Sequence, residues 1–216
     1  QQAWTALMGT SHPTSVVLNG TFTSTEGSRT QSGNAQLTVG SDGTYAVNLS
    51  RTVGPVSESR TFSNGVPTCT WTDENNVIHQ ISFVNCLSPA WFFPGLMLLS
   101  SNGDPSDPAW IPTSNSTDSL GQHLNFQFIL PNLESGQEDP QLLKPLDLVL
   151  ASGTLLPAYA TFTMHPDNPA IHADIPVRIA YSNYQSVSGV MIPFHIQRYV
   201  NGSLVLDITV ATASIQ

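Results

Sequence analysis

Tyr181-Ser182-Asn183-Tyr184, then Gly189-Val190-Met191-Ile192-Pro193-Phe194-His195-Ile196, then Asn201-Gly202 and the apolar run 204–210, is the stretch whose reading decides the fold. It alternates and punctuates as strand, turn, strand, tight turn and final strand. A two-residue Asn201-Gly202 loop would pair the apolar Phe194 and Ile196 with the polar Thr209 and Asp207. A three-residue loop, 200–202 with Gly202 left-handed, instead puts Phe194, Ile196 and Arg198 on one face with Leu204, Leu206, Ile208 and Val210. The pattern therefore predicts the three-residue turn, with His195 opposite Asp207 on the other face.

Similar alternation recurs along the chain. Residues 3–11 read as the last turns of a helix, ended by Gly9 as a C-cap. Segment 16–24 alternates Val16, Leu18, Gly20 and Phe22 against polar neighbours. Ala35, Leu37 and Val39 share a face that Tyr45, Val47 and Leu49 continue after an Asp42-Gly43 turn. Leu124, Phe126 and Phe128 alternate, as do Leu146, Leu148 and Leu150, and 158–164 reads as a further strand. Segments 102–118 and 131–145 read as polar loops. About ten strands and one or two helices result, in a single domain spanning 1–216.

Segments 68–73 and 77–85 flank a loop at Glu74-Asn75-Asn76, which sets Trp71 opposite His79 and Cys69 opposite Ile81. Cys86 stands five residues beyond Ile81, roughly 16 Å along a straight strand. A Cys69–Cys86 disulfide therefore requires the chain to bend back after Asn85. Ser88-Pro89 allows that bend, as N-cap and first helical residue. Two cysteines in a chain so poor in lysine suggest one disulfide in an oxidising compartment; two buried thiols are the alternative. The helix expected over 88–101 carries Trp91, Phe92, Phe93, Leu96, Met97, Leu98 and Leu99 around a Pro94-Gly95 break. Apolar on all sides, it is either a plug in a curved sheet or a lid over an apolar cavity.

Charged residues form 10% of the chain, against roughly 25% in an average soluble domain. Net charge is −9, and Arg29, Arg51, Arg60, Lys144, Arg178 and Arg198 are scattered. Nucleic-acid binding, which needs clustered cations, is excluded, and attraction to an anionic membrane surface is disfavoured. No span reaches the ~20 apolar residues of a transmembrane helix. The start at Gln1-Gln2 is compatible with a removed export signal.

There is no Gly-x-Ser-x-Gly elbow, no phosphate-binding glycine loop, no Cys-x-x-Cys and no His-Glu-x-x-His. His165, Asp167, His172 and Asp174 are the best candidates for metal ligands. They lie in a proline-rich loop where Asp and Asn beside Pro more often cap turns, so no metal and no cofactor are expected. His79 and His195 read as strand residues with cross-strand partners, while His12 and His123 stand alone. Four Asn-x-Ser/Thr sequons, at Asn19, Asn48, Asn115 and Asn201, arise easily by chance in this composition.

Tyr181, Ser182 and Tyr184, followed by Gly189, Val190, Pro193, Phe194, Ile196, Tyr199, Asn201 and Gly202, resemble the closing strands of exported bacterial half-open β-barrels of the periplasmic lipoprotein carrier (LolA) type. The resemblance covers mainly 146–215, and also the block 86–99. It implies a long curved antiparallel sheet, an incomplete β-barrel, with one or two helices packed in its concavity. It also implies a periplasmic or secreted, non-enzymatic, monomeric protein whose partner is a lipid or a lipoprotein acyl chain. The carrier's cavity arginine and a lipid-attachment cysteine have no match here. The residues expected to line a ligand cavity between sheet and helix are Trp71, Trp91, Phe92, Phe93, Met97, Phe126 and Phe128. The alternatives are a structural or assembly module with a filled core, its function on loops 102–118 and 131–145, and a hydrolase whose site is gathered across strands.

Overall fold

The computed structural model describes residues 2–63, 66–82, 85, 109–129, 145–166 and 173–216. A short helix, α1 (Gln2–Met8), precedes thirteen strands. These are β1 (Ser15–Glu26), β2 (Arg29–Gly40), β3 (Tyr45–Arg51), β4 (Gly54–Ser63), β5 (Val66–Thr72), β6 (Ile78–Gln80), β7 (Ala109–Thr117), β8 (Gln122–Ile129), β9 (Leu146–Leu150), β10 (Pro157–Met164), β11 (Ile175–Val187), β12 (Val190–Val200) and β13 (Ser203–Ile215). All belong to one antiparallel sheet, in the order β6-β5-β4-β3-β2-β1-β13-β12-β11-β10-β9-β8-β7, which does not close. The architecture is the curved, incomplete barrel expected, with β6 and β7 at its edges and residues 81–108 joining them in the chain.

Period-two burial builds the inner face. Val16, Leu18 and Phe22 of β1, Leu37 and Val39 of β2, Tyr45 and Val47 of β3, and Ile208 and Val210 of β13 all enter one core. Leu146, Leu148, Ile179, Ile192 and Ile196 continue it toward β9. From α1, Ala3, Leu7 and Met8 join the same core, and the helix packs on β12. Gly9 ends α1 with φ 58°, and its amide bonds to the Thr5 carbonyl at 2.9 Å, the expected C-cap.

The closing hairpin corrects the sequence reading. Val200 pairs with Ser203 across a two-residue turn, with Asn201 at φ 50° and Gly202 at φ 77°. Both left-handed residues mark a type I′ turn, whose twist suits the flanking strands. The register slips just beyond it, where Tyr199 pairs with Leu204 but Arg198 with Leu206. This bulge at Val205 does what the longer loop was expected to do: Arg198 meets Leu206 and Ile196 meets Ile208 on the inner face. Leu204 does not join them and is 39% exposed. His195 pairs with Thr209, while Asp207 pairs with Gln197.

Segment 109–117, expected within a loop, is strand β7. Its Pro112 and polar run are tolerated because β7 is an edge strand, and the register shifts between Pro112 and Ser114. The loop expected at 131–145 and the helix expected over 88–101 lie outside the described residues, apart from Pro145, which leads into β9.

The chain ends meet at the sheet centre, where β1 pairs with β13 from Val16–Ile215 to Ser24–Leu206. The register shifts between Asn19 and Gly20, leaving Ala211 as the extra residue. A Cβ on Gly20 would overlap the Thr209 carbonyl oxygen, so only glycine fits this seam. Gly20→Val should lower unfolding free energy in urea by about 3 kcal/mol. Gly202→Ala, where open space leaves only the left-handed backbone cost, should lower it by about 1 kcal/mol.

Candidate functional site

One end of the concave face is incompletely filled. Val47 and Leu49 of β3, Val56 and Glu58 of β4, Trp71 of β5, Arg198 of β12 and Leu206 of β13 surround a cavity of about 190 Å³. Glu26 stands at its rim. There Arg51, its side chain buried, lies 3.4 Å from Glu26 and 3.7 Å from Glu74. The cavity walls are mainly apolar, and the polar groups converge at Glu58 and Arg198.

Strands β4 and β12 stand five steps apart in the sheet order, about 24 Å on a flat sheet. Yet Arg198 Nη1 lies 3.5 Å from Glu58 Oε2. The curl of the sheet alone makes this approach possible. Glu58 Oε1 accepts a 2.8 Å bond from the Tyr45 hydroxyl. Burial, and then Glu58, push the Tyr45 pKa well above its usual value, so Tyr45 remains a donor. Arg198 Nη2 reaches Met164 Sδ at 3.3 Å, and its Nε is buried without a hydrogen-bond partner. Nearby, Arg60 is buried against the Gly43 carbonyl with its guanidinium over the Tyr45 and Phe62 rings. Burial lowers its pKa to about 10, which still leaves it charged at neutral pH.

Sequence reasoning missed Glu58 as a cavity group and Tyr45 as its hydrogen-bond donor. Their signal was phase: Val56, Glu58 and Arg60 fall on alternate positions opposite the inward Leu49, Val47 and Tyr45. Arg198 was correctly placed on the inner face, but its partner five strands away was not legible.

Of the residues expected to line a cavity, Trp71 does so, at 39% exposure. It pairs with His79 as expected and stacks on its ring at 4.2 Å, while His79 Nε2 lies 3.2 Å from Asp73. Phe126 is buried in the core and lies outside this cavity. Phe128 stands opposite Trp110 in β8, and its side chain is outside the described set, as are Trp91, Phe92, Phe93 and Met97. Cys69 is buried on the inner face and its carbonyl accepts from the Ile81 amide at 3.0 Å; Cys86 lies outside the described residues.

The convex face carries two histidine constellations. His195 Nε2 lies 2.8 Å from Asp207, and Nδ1 lies 3.1 Å from Ser182 Oγ. The expected partnership is thus present, reached diagonally rather than directly across the strands. His123 does not stand alone: Nδ1 lies 2.8 Å from Asp147 and Nε2 3.1 Å from Asp118. Neither set borders the clefts found on the described surface. Among the described residues no group of three His, Cys, Asp or Glu could hold a metal ion. His165 contacts Asp174 at 3.6 Å and exchanges two hydrogen bonds with Asn85 through its backbone, while Asp167 and His172 lie outside the described residues.

An open antiparallel half-barrel with an apolar concave face and a helix against it defines the structural class. Compared by sequence, the chain matches no family model and no curated protein. Compared by structure, it is similar to an outer membrane lipoprotein-sorting protein domain from Vibrio parahaemolyticus, at TM-score 0.51 and 10% identity, covering 94% of this chain and 85% of that one. A LolA superfamily protein from Nitrosomonas europaea matches at TM-score 0.52 and 10% identity, over 99% and 92% of the two chains. A DUF1329 family protein from Desulfovibrio piger matches at 0.53 and 10%, over 99% and 90%. The chain shares the LolA-like half-open barrel fold of these proteins, as its closing strands suggested.

His123 yields a test of the convex face. Hydrogen bonds that its ring donates to the Asp147 carboxylate, then to that of Asp118, raise its pKa above the ordinary 6.5. Its contribution to stability is therefore complete below about 6.5 and lost as pH rises through the raised folded-state value. Urea midpoints of the wild type should fall from pH 5.5 to 8.5 relative to His123→Gln. Parallel curves would show that the pair adds nothing to folding.

Proposed function

We propose that this chain is a non-enzymatic exported protein that holds a lipid-like ligand on the concave face of its half-barrel. The observation that carries it is the 190 Å³ cavity with a large, partly exposed Trp71 in its wall. Exposed aromatic surface beside an apolar hollow on an inner face is a feature of binding, not of folding. The solved structures of the same fold include one described as a lipoprotein-sorting domain, which supports an acyl chain as the class of ligand and the periplasm, or secretion, as the location. No helix among the described residues is long and apolar enough to cross a membrane. Trp91, Phe92, Phe93, Met97 and Phe128, with Trp71 and Phe126, complete the lining in this proposal. The domain is taken as 1–216 and monomeric. A Cys69–Cys86 bridge would anchor the following segment to β5, and is supported by the burial of Cys69 and by the absence of a free cysteine among the described residues. Such a closed loop stabilises by ~3 kcal/mol in the chain-entropy model.

The cavity volume also favours a second possibility. Small-molecule pockets run to about 300–1,000 Å³, so 190 Å³ suits a structural module with a nearly filled interior.

Native mass spectrometry of protein purified from its own host separates the two. A lipid adduct is expected on the wild type and is expected to be lost from Leu49→Trp, which fills the cavity while leaving the melting temperature within a few degrees. Protein free of adduct that also ignores added fatty acid or phospholipid would leave the filled module standing. Peptide mapping without reductant should recover Cys69 and Cys86 in one linked species.

A further inference from the structure

A second site lies on the convex face, away from the cavity. Buried Ala160, Phe162, Val177 and Ile179 point inward from β10 and β11, so the residues between them point outward. Thr161 pairs with Arg178, and Arg178 pairs with Tyr199, forming an outward row across three strands. This row and Pro176 line a cleft of about 490 Å³. The Arg178 guanidinium lies 4.3 Å from the Tyr199 ring centroid and 6.0 Å from that of Tyr159.

Stacking occupies the face of a guanidinium and leaves its in-plane N–H fork available. In a chain of net charge −9, an exposed arginine would ordinarily meet a carboxylate. Arg178 has no ion pair among the described residues: Asp147, next in the row beyond Thr161, is taken by His123, and Asp174 by His165. The other exposed arginine among the described residues, Arg29, stacks on no described ring, whereas Arg178 has both a ring and a cleft beside it.

We propose that this cleft binds an organic oxyanion, a carboxylate or phosphate monoester, whose oxygens take the Arg178 fork while its carbon skeleton lies against Tyr199 and Pro176. The fork matches two oxygens of either group, and the Thr161 and Thr163 hydroxyls in the same cleft supply further donors. The volume falls within the range of small-molecule sites, which calls for a ligand larger than the bare ion. The local cation offsets the repulsion of the acidic chain, so binding should weaken with salt.

Titration of ¹⁵N-labelled protein with benzoate, inorganic phosphate and vesicles of phosphatidic acid in phosphatidylcholine tests the site. Saturable shifts at the Thr161, Arg178 and Tyr199 amides are expected. Arg178→Gln should weaken binding about ten-fold or more, Arg178→Lys less, and Arg29→Gln not at all, with all melting temperatures unchanged. Binding of the free anions assigns the oxyanion to a soluble ligand. Binding of vesicles alone assigns it to a lipid headgroup. No saturable shift with any probe, or equal losses in Arg178→Gln and Arg29→Gln, would overturn the proposal. The result is independent of whether the concave face carries lipid.

Discussion

The pairing of β1 with β13 is the constraint on which the structure depends. Two meanders, β1–β6 and β7–β13, become one sheet only because the first strand of the chain hydrogen-bonds to the last. The Gln216 amide donates to the Ser15 carbonyl at 3.0 Å, and the Thr14 amide to the Gln216 carbonyl at 2.7 Å, so the seam is tied to its end. Each meander alone has an apolar face and an exposed edge. Joined, they curl around one another and bury Phe22 against Ile208 and Leu18 beside Ala213. A contact between residues so distant in sequence carries a large loop-closure cost, and folding should be slow for that reason.

The curl has a chemical consequence. It brings Glu58 and Arg198 together across the concavity and leaves a space between them and Trp71. A fully buried ion pair would gain little over apolar packing, since desolvation offsets the attraction. Here the pair is partly accessible and borders a hollow, and Arg198 Nε stays unsatisfied. Polar groups left in that condition mark an interior that is not optimised for packing alone. The convex face differs: its histidines and aspartates pair locally, with side chains on adjacent strands, and the cleft at Arg178 is built from a single row of neighbours.

Much of the fold was legible because strand burial has a period of two. The Trp71–His79 pair, the Gly9 cap and the inward faces of β2, β3 and β9 followed from alternation and turn chemistry. The failures are equally physical. A bulge and a longer loop restore the same face, so the pattern of Ile196 and Ile208 could not separate a three-residue turn from a type I′ turn followed by a bulge at Val205. Strand β7 was hidden because an edge strand tolerates proline and polar residues that would break a central one. Among the described residues of the expected cavity set, Trp71 lines a hollow and Phe126 lies in the core; Trp91, Phe92, Phe93 and Met97 fall in the segment between the edge strands, outside the described residues.

The sequence by itself determined which residues of the central strands face inward and where most of the hairpins turn; these depend on neighbours two residues apart or one turn away. Only the tertiary structure decided that β1 closes on β13, that Glu58 meets Arg198, and that Arg178 lies on Tyr199 with no ion pair among the described residues. Those facts depend on strand order and curl. Strand order follows from the summed burial of the whole inner face, and no local pattern encodes that sum.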